Sequence, residues 1–481
     1  RMSADIGIFG LSARAVNLAV NLATKEVNVA VGHRSSDLLK ECSRIAEKKG
    51  VEERITTTKD YSEFCESLSS PKRVILMAKP GSSVEKNYSK IVPLLSSGDV
   101  LVDGSDEGYE TCLRRAKEME EKGIHYLTMG VLGTDKEVQK GCGILLSGPR
   151  EGYDAVEVSL KKAVVEKDYE PCIAYVGSSV SAAYAMMVLK GLLTSYEQVL
   201  AEVYGVLLAA GFTNEEVSKS IATWNKDDLG SPLLEAMCVV LKKKDADVEG
   251  CEPGEGFLVD KAVDCPLPLR EGASLLRESN DLLASLQSVV RAVYEGFLCE
   301  KKEERAKAAS LLAGPEMNWQ HLDHVQLVED LRNAFIGCVL SGAAECFALL
   351  RQASSDYQWS VQGAEVARVL AGTGVCRCGL LTLVKEALEG NAESLFCDEA
   401  VAEVLQKKQL AWRRAVTLSV IAGITAPVMT AALAYMDTMR REKLPQNLVN
   451  AQRDFFASAT FERTDMPRGM SYHCRWTKEH N

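Results

Sequence analysis

Apolar positions along the chain follow two regimes. Up to Gly177 short continuous apolar runs alternate with stretches of helical period; the runs are DIGIFG at 5–10, VNVAVG at 27–32, VILMA at 74–78 and VLVD at 100–103. Such runs mark strands buried on both faces of a parallel sheet. Helical segments at 13–23 and 110–122 lie between them, and 125–131 and 143–147 supply two further strands. This alternation predicts an α/β, Rossmann-type doubly wound domain over residues 1–177. Beyond it the strand pattern stops. Long helical patterns run over 182–210, 214–222, 274–299, 325–353, 363–371 and 409–441, with loops at 242–256 and in the Pro-containing turn 265–268. They predict a large all-α domain over 178–441, followed by a C-terminal tail, 442–481.

Composition narrows the function classes. The 481 residues carry a net charge of -11, and the apolar and charged fractions are those of a folded water-soluble protein of two to four domains. An acidic balance argues against a nucleic-acid surface, which needs excess Lys and Arg, and Lys242–Lys244 reads as a solvated loop. Fifteen cysteines, an odd number without paired spacing, point to reduced thiols in the cytoplasm or an organelle matrix such as the mitochondrion. Cys376 and Cys378 are too close for ordinary zinc ligation, so no metal is expected. The apolar stretch 417–436 is interrupted by Gly423 and Pro427 and preceded by Trp412, Arg413 and Arg414, which favours a buried helix over a membrane span. No presequence is evident ahead of the first strand, although Arg1 before Met2 fits a trimmed start.

Two turns bear on a nucleotide. After the first strand comes Gly10-Leu11-Ser12-Ala13-Arg14-Ala15, where a glycine-rich turn would bring backbone amides and a helix N-terminus to a pyrophosphate. Ser12 and Ala15 stand at the second and third glycine positions of that pattern, and Arg14 is either a phosphate contact or solvated. After the second strand comes Gly32-His33-Arg34-Ser35-Ser36. It offers a cation and a hydroxyl but no acid, so a coenzyme with a 2′-phosphate, NADP, is preferred to NAD. Gly10, Ser12, Arg14, Ala15, Arg34 and Ser35 are thus the coenzyme-site candidates.

Several segments in order resemble the 6-phosphogluconate dehydrogenase family: VGSSVSAAYAMMVLKGLLTSYEQVLAE at 176–202, WNKDDLGSPLL at 224–234, VEDLRNA at 328–334, ALLRQAS at 348–354, AWRRAV at 411–416, and LPQNLVNAQRDFF at 444–456 with FERTDMPRG behind it. The resemblance implies a base and an acid on the helix that opens the second domain, where the family reads G-x-G-H-x-V-K-M-V-H-N-x-x-E-Y. Here the Lys falls on Met186, the His on Leu189, the Asn on Lys190, the Glu on Leu193 and the Tyr on Thr194. Thioethers and alkyl chains exchange no proton. The family's D-x-G-N appears as Asp103-Gly104-Ser105-Asp106, which sets an anion where substrate contact is implied, and its S-G-G as Leu132-Gly133-Thr134. Of the cations that would hold a substrate phosphate, the Lys of one loop falls within 270–274 and is lost, an Arg falls on Gly296, and the tail keeps Arg453 while its His falls on Ala459.

The expectation is therefore a pseudoenzyme, a structural or interaction subunit that requires no cofactor, with Asp106, Gly133 and Arg453 as remnants of a substrate site. An NADP(H)-binding regulator is one alternative. Another is an active NADP-dependent dehydrogenase with Lys190 as a relocated base, which demands a lysine and a carboxyl group within reach of each other beside the nicotinamide pocket. The resemblance also implies a homodimer joined through the tail, or a heteromeric assembly in its place.

Overall fold

A computed structural model describes residues 3–266, 270–390 and 392–476; positions 267 and 268 of the expected turn lie outside them. The strands are β1 (Ile6–Phe9), β2 (Val29–Gly32), β3 (Ile55–Thr58), β4 (Arg73–Leu76), β5 (Val100–Asp103), β6 (His125–Leu132), β7 (Gly143–Ser147), a short antiparallel pair β8 (Glu166–Lys167) and β9 (Glu170–Pro171), and β10 (Ile173–Gly177). Eight of them form one sheet in the order β10-β7-β6-β5-β4-β1-β2-β3, parallel except where β6 meets β7. Central β1 and its neighbour β2 are buried along their whole length, which explains their uninterrupted apolar runs.

The strand order reverses between β1 and β4, and there the carboxyl ends of the strands open a crevice. Gly10 follows β1 at φ +106°, and a Cβ on it would lie 2.7 Å from the Ala78 amide nitrogen. Only glycine fits. Helix α1 (Ala13–Thr24) starts at Ser12, whose hydroxyl accepts the Ala15 N–H at 3.2 Å. Buried Asn21 ties α1 sideways, donating to the Val138 and Ala163 carbonyls at 2.8 Å each. Next in chain order come α2 (Ser36–Lys49), α3 (Tyr61–Glu66), α4 (Ser82–Ile91), α5 (Tyr109–Glu121), α6 (Asp135–Val138) and α7 (Arg150–Leu160).

The remainder is helical: α8 (Ser181–Ala209), α9 (Asn214–Trp224), α10 (Pro232–Lys242), α11 (Arg270–Asp281), α12 (Gln287–Cys299), α13 (Lys302–Ala309), α14 (His324–Asp356), α15 (Gly363–Thr373), α16 (Gly379–Glu389), α17 (Glu399–Ile421), α18 (Pro427–Met439) and α19 (Gln446–Ala457). Two expected helices are each divided. The span 274–299 breaks between α11 and α12, and 409–441 breaks between α17 and α18, so the apolar stretch 417–436 is not one helix. Among the described residues only α14 is long and apolar enough to cross a membrane, and 94% of its apolar window is buried within the protein. Residues through Leu433 make one compact unit and those from Ala434 a second, smaller one. In the latter, buried Asp454 on α19 accepts from Thr460, His473, Cys474 and Trp476, gathering the tail around one carboxylate.

Candidate functional site

At the crevice the glycine turn presents the start of α1, with Ser12 exposed and Ala15 buried against the sheet. Arg14 is committed elsewhere. Its guanidinium donates to the Val131 and Gly133 carbonyls at 2.7 and 3.0 Å and pairs with Asp135 at 3.2 Å. A phosphate would have to win it from three partners, so Arg14 acts as a latch holding the loop after β6 against α1. Asn17 adds a bond to the Asp135 carbonyl at 2.6 Å.

The turn after β2 is differently disposed. Arg34 is exposed and, among the described residues, enters no ion pair. Ser35 is the N-cap of α2 but its hydroxyl makes no capping bond, leaving an acceptor and donor free beside the first amides of the helix. Lys59, carried in by the end of β3, hydrogen-bonds the Ser36 hydroxyl. A second cation thus stands beside Arg34 and Ser35, and these three groups suit a phosphate monoester at the end of β2.

The acid and base positions lie on α8. Met186 packs on β6 so closely that a Cβ on Gly130 would lie 2.4 Å from its sulfur. Met129 reaches from β6 toward Gly104 in the same way, 2.7 Å from where a Cβ would stand. Leu193 is half-buried two turns further along. Among the described residues Asp103, Asp106, Tyr109, Met129, Met186 and Lys190 border a small pocket of about 30 Å³.

Lys190 and Asp106 do meet at the rim. Their charged atoms are 3.8 Å apart, with the lysine side chain 26% and the aspartate 43% exposed. Asp106 has φ +57°, a left-handed conformation that Asn and Asp tolerate better than most residues. The preceding Asp103 is held inside by Arg115 at 2.7 Å and Tyr126 at 2.8 Å, which fixes the turn that delivers Asp106. Gly133, at φ +115°, is buried behind the Arg14 latch. Side-chain positions at Arg270 and Glu271 lie outside the described residues, and Arg453 is exposed on α19 in the second unit. A network that sequence reasoning misses borders the pocket: buried Glu278 on α11 accepts from the Tyr109 and Tyr357 hydroxyls, and Tyr184 packs edge-on to Tyr109.

Comparison with known proteins gives the family. Residues 5–177 match the model of the NAD binding domain of 6-phosphogluconate dehydrogenase, and 182–476 match that of its C-terminal domain. The decarboxylating 6-phosphogluconate dehydrogenase 1 of Oryza sativa is 33% identical over 98% of both chains. The NADP(+)-dependent decarboxylating enzyme of Bacillus subtilis is also 33% identical, over 98% of this chain and 99% of its own. Among solved structures, Plasmodium falciparum 6-phosphogluconate dehydrogenase, studied in its apo form and with NADP+ or 6-phosphogluconate, superposes with a TM-score of 0.90 at 29% identity, covering 98% of this chain and all of that one. With both halves matched in order and nearly every residue covered, the chain belongs to the 6-phosphogluconate dehydrogenase family.

Proposed function

We propose that this member of the family is catalytically silent toward 6-phosphogluconate and serves as a structural or interaction subunit. The observation that carries the reading is Met186 stacked on Gly130, with Leu193 along the same helix, at the positions where the resemblance implies a base and an acid. A positioned acid or base contributes about 10²–10⁴ in rate, so losing both removes most of what the fold supplies. Turnover of 6-phosphogluconate with NADP, followed as NADPH absorbance, is expected to stay at the no-protein background; a rate proportional to protein concentration overturns the proposal.

The turns after β1 and β2 carry groups that suit NADP. Gly10, Ser12 and Ala15 would frame the pyrophosphate, and Arg34, Ser35 and Lys59 would hold the 2′-phosphate. When bound, the nicotinamide supplies hydride chemistry; this chain's residues supply only binding. NADPH fluorescence titration of the purified protein is expected to saturate, and Arg34→Ala to weaken it about tenfold, the loss of one charged contact of about 1.4 kcal/mol.

One observation favours a second reading, an active dehydrogenase: the Lys190–Asp106 pair stands where such an enzyme needs a lysine and a carboxyl group. Against it, an anionic substrate would have to displace Asp106 from Lys190 and meet its charge. Any turnover abolished by Lys190→Met decides for this reading. The exposed tail helix α19 with Arg453 supports a homodimer, or a heteromeric assembly built through the same surface.

A further inference from the structure

Between the turn leading into α6 and the connection between α15 and α16 lies an open pocket of about 300 Å³, with Gly133 in its lining and neither Arg34, Ser35 nor Lys59 among its lining residues. Its charged lining is Lys136, Glu137, Lys140 and Arg377, and its floor includes Val165 and Gly372. Glu137 is already spent: one carboxylate oxygen accepts Arg377 at 2.6 Å, the other the Thr134 amide at 2.7 Å. Arg377 also points a nitrogen at the Thr373 and Gly374 carbonyls, at 3.4 and 3.3 Å, so its guanidinium is fixed in the wall. Lys136 and Lys140 are exposed, stand four residues apart, and among the described residues enter no ion pair. Behind Gly372 lies the aliphatic stem of Lys167, whose ammonium donates to the Ala371 carbonyl at 3.1 Å.

The charge count decides the ligand. With Glu137 cancelling Arg377, the two free ammonium groups leave the cavity at about +2 in a chain whose net charge is -11. A phosphate monoester carries close to two negative charges at neutral pH, which the two ammonium groups lining the pocket match in number. Val165 is 37% exposed and gives the floor an apolar surface for the body of the ester. The volume is at the low end of the range for small-molecule sites. We propose that this cavity binds a small phosphate ester, at a site separate from the coenzyme turn.

Isothermal titration of the full chain with phenyl phosphate at low salt tests it. Saturable one-to-one binding is expected. Lys136→Gln with Lys140→Gln should weaken it about tenfold or more, while circular dichroism and melting stay at parent values because both side chains are exposed. Arg34→Ala should leave it unchanged; loss in that variant would assign the binding to the coenzyme cleft and overturn the proposal. So would absence of saturable heat at millimolar ligand, or retention of affinity in the double variant. Inorganic phosphate is the second arm: weaker binding supports the ester, whereas equal affinity shows that the apolar floor takes no part and overturns the assignment.

Discussion

Arg115 is fully buried, and the turn at the pocket rim depends on how its charge is met. Its guanidinium pairs with Asp103 at 2.7 Å and Glu85 at 2.6 Å and lies 4.9 Å from the centre of the Tyr88 ring. Asp103 is 1% exposed at its side chain, so removing the arginine strands a carboxylate in the interior. Replacing one partner of such a pair costs about 3–5 kcal/mol. Arg115→Met is expected to lose that much in urea denaturation; a loss below about 1 kcal/mol would mean that water reaches Asp103. At this scale the candidate site was half legible. Met186 and Leu193 were reached through the family resemblance alone, and both lie on α8. The Arg14 latch could not be read, because its three partners lie more than a hundred residues away. Lys59 was missed for a related reason: it follows β3, a strand of partly exposed ITTT that carries no buried apolar run.

At the scale of elements, the two divided helices share a device. Glu202 on α8 is 2% exposed and accepts the Val428 and Met429 amides at 2.9 and 3.0 Å, at the start of α18. Glu345 on α14, wholly buried, accepts the Ser288 and Val289 amides at the start of α12. Each helix N-terminus is capped by a carboxylate from a distant helix. This is why the break before α12 is invisible in the sequence: LLASLQ keeps its apolar spacing through 282–287, and the cap is not local. The break before α18 was legible, since Gly423 and Pro427 announce it.

Both glutamates also set a pH response. Burial pushes each carboxyl up from 4.5 to about 7, against the amide bonds that pull it down. A folded value above the unfolded one means the folded protein holds extra protons between about pH 4.5 and 7. The stability they confer is complete below that window and is lost as pH rises through it. Each site is worth on the order of 1–3 kcal/mol. Melting temperature should therefore decline from pH 5 to pH 8, and Glu202→Gln with Glu345→Gln should flatten that decline, since the amides keep an acceptor and do not titrate. An unchanged slope in the double variant would place the response in other groups.

For the molecule as a whole, β1, β2, β4, β5, β6 and β7 were legible because strands buried on both faces leave continuous apolar runs, and β3 was not because its ITTT is only partly buried, whereas what the molecule assembles with depends on surfaces the pattern of one chain does not rank. The tail is the surface that stands out. On α19, Leu448, Phe455 and Phe456 are 61%, 50% and 83% exposed, and the two phenyl rings pack edge-on with centroids 5.1 Å apart. Asp454, just before them, is buried and holds four partners, so the helix is pinned while its two phenylalanines stay exposed. Burying the three side chains against a second chain would contribute about 1.5–3 kcal/mol each, and aromatic anchors of this kind carry interfaces disproportionately. The proposed homodimer then makes a definite statement: the full chain sediments as a dimer at micromolar concentration, and Phe455→Ser with Phe456→Ser shifts it to a monomer while the melting of the pinned tail hub is preserved. A parent chain that is monomeric alone, yet dimerises only with a co-purified second protein, would transfer the same surface to a heteromeric partner. A double variant that still sediments as the parent would remove α19 from the interface altogether.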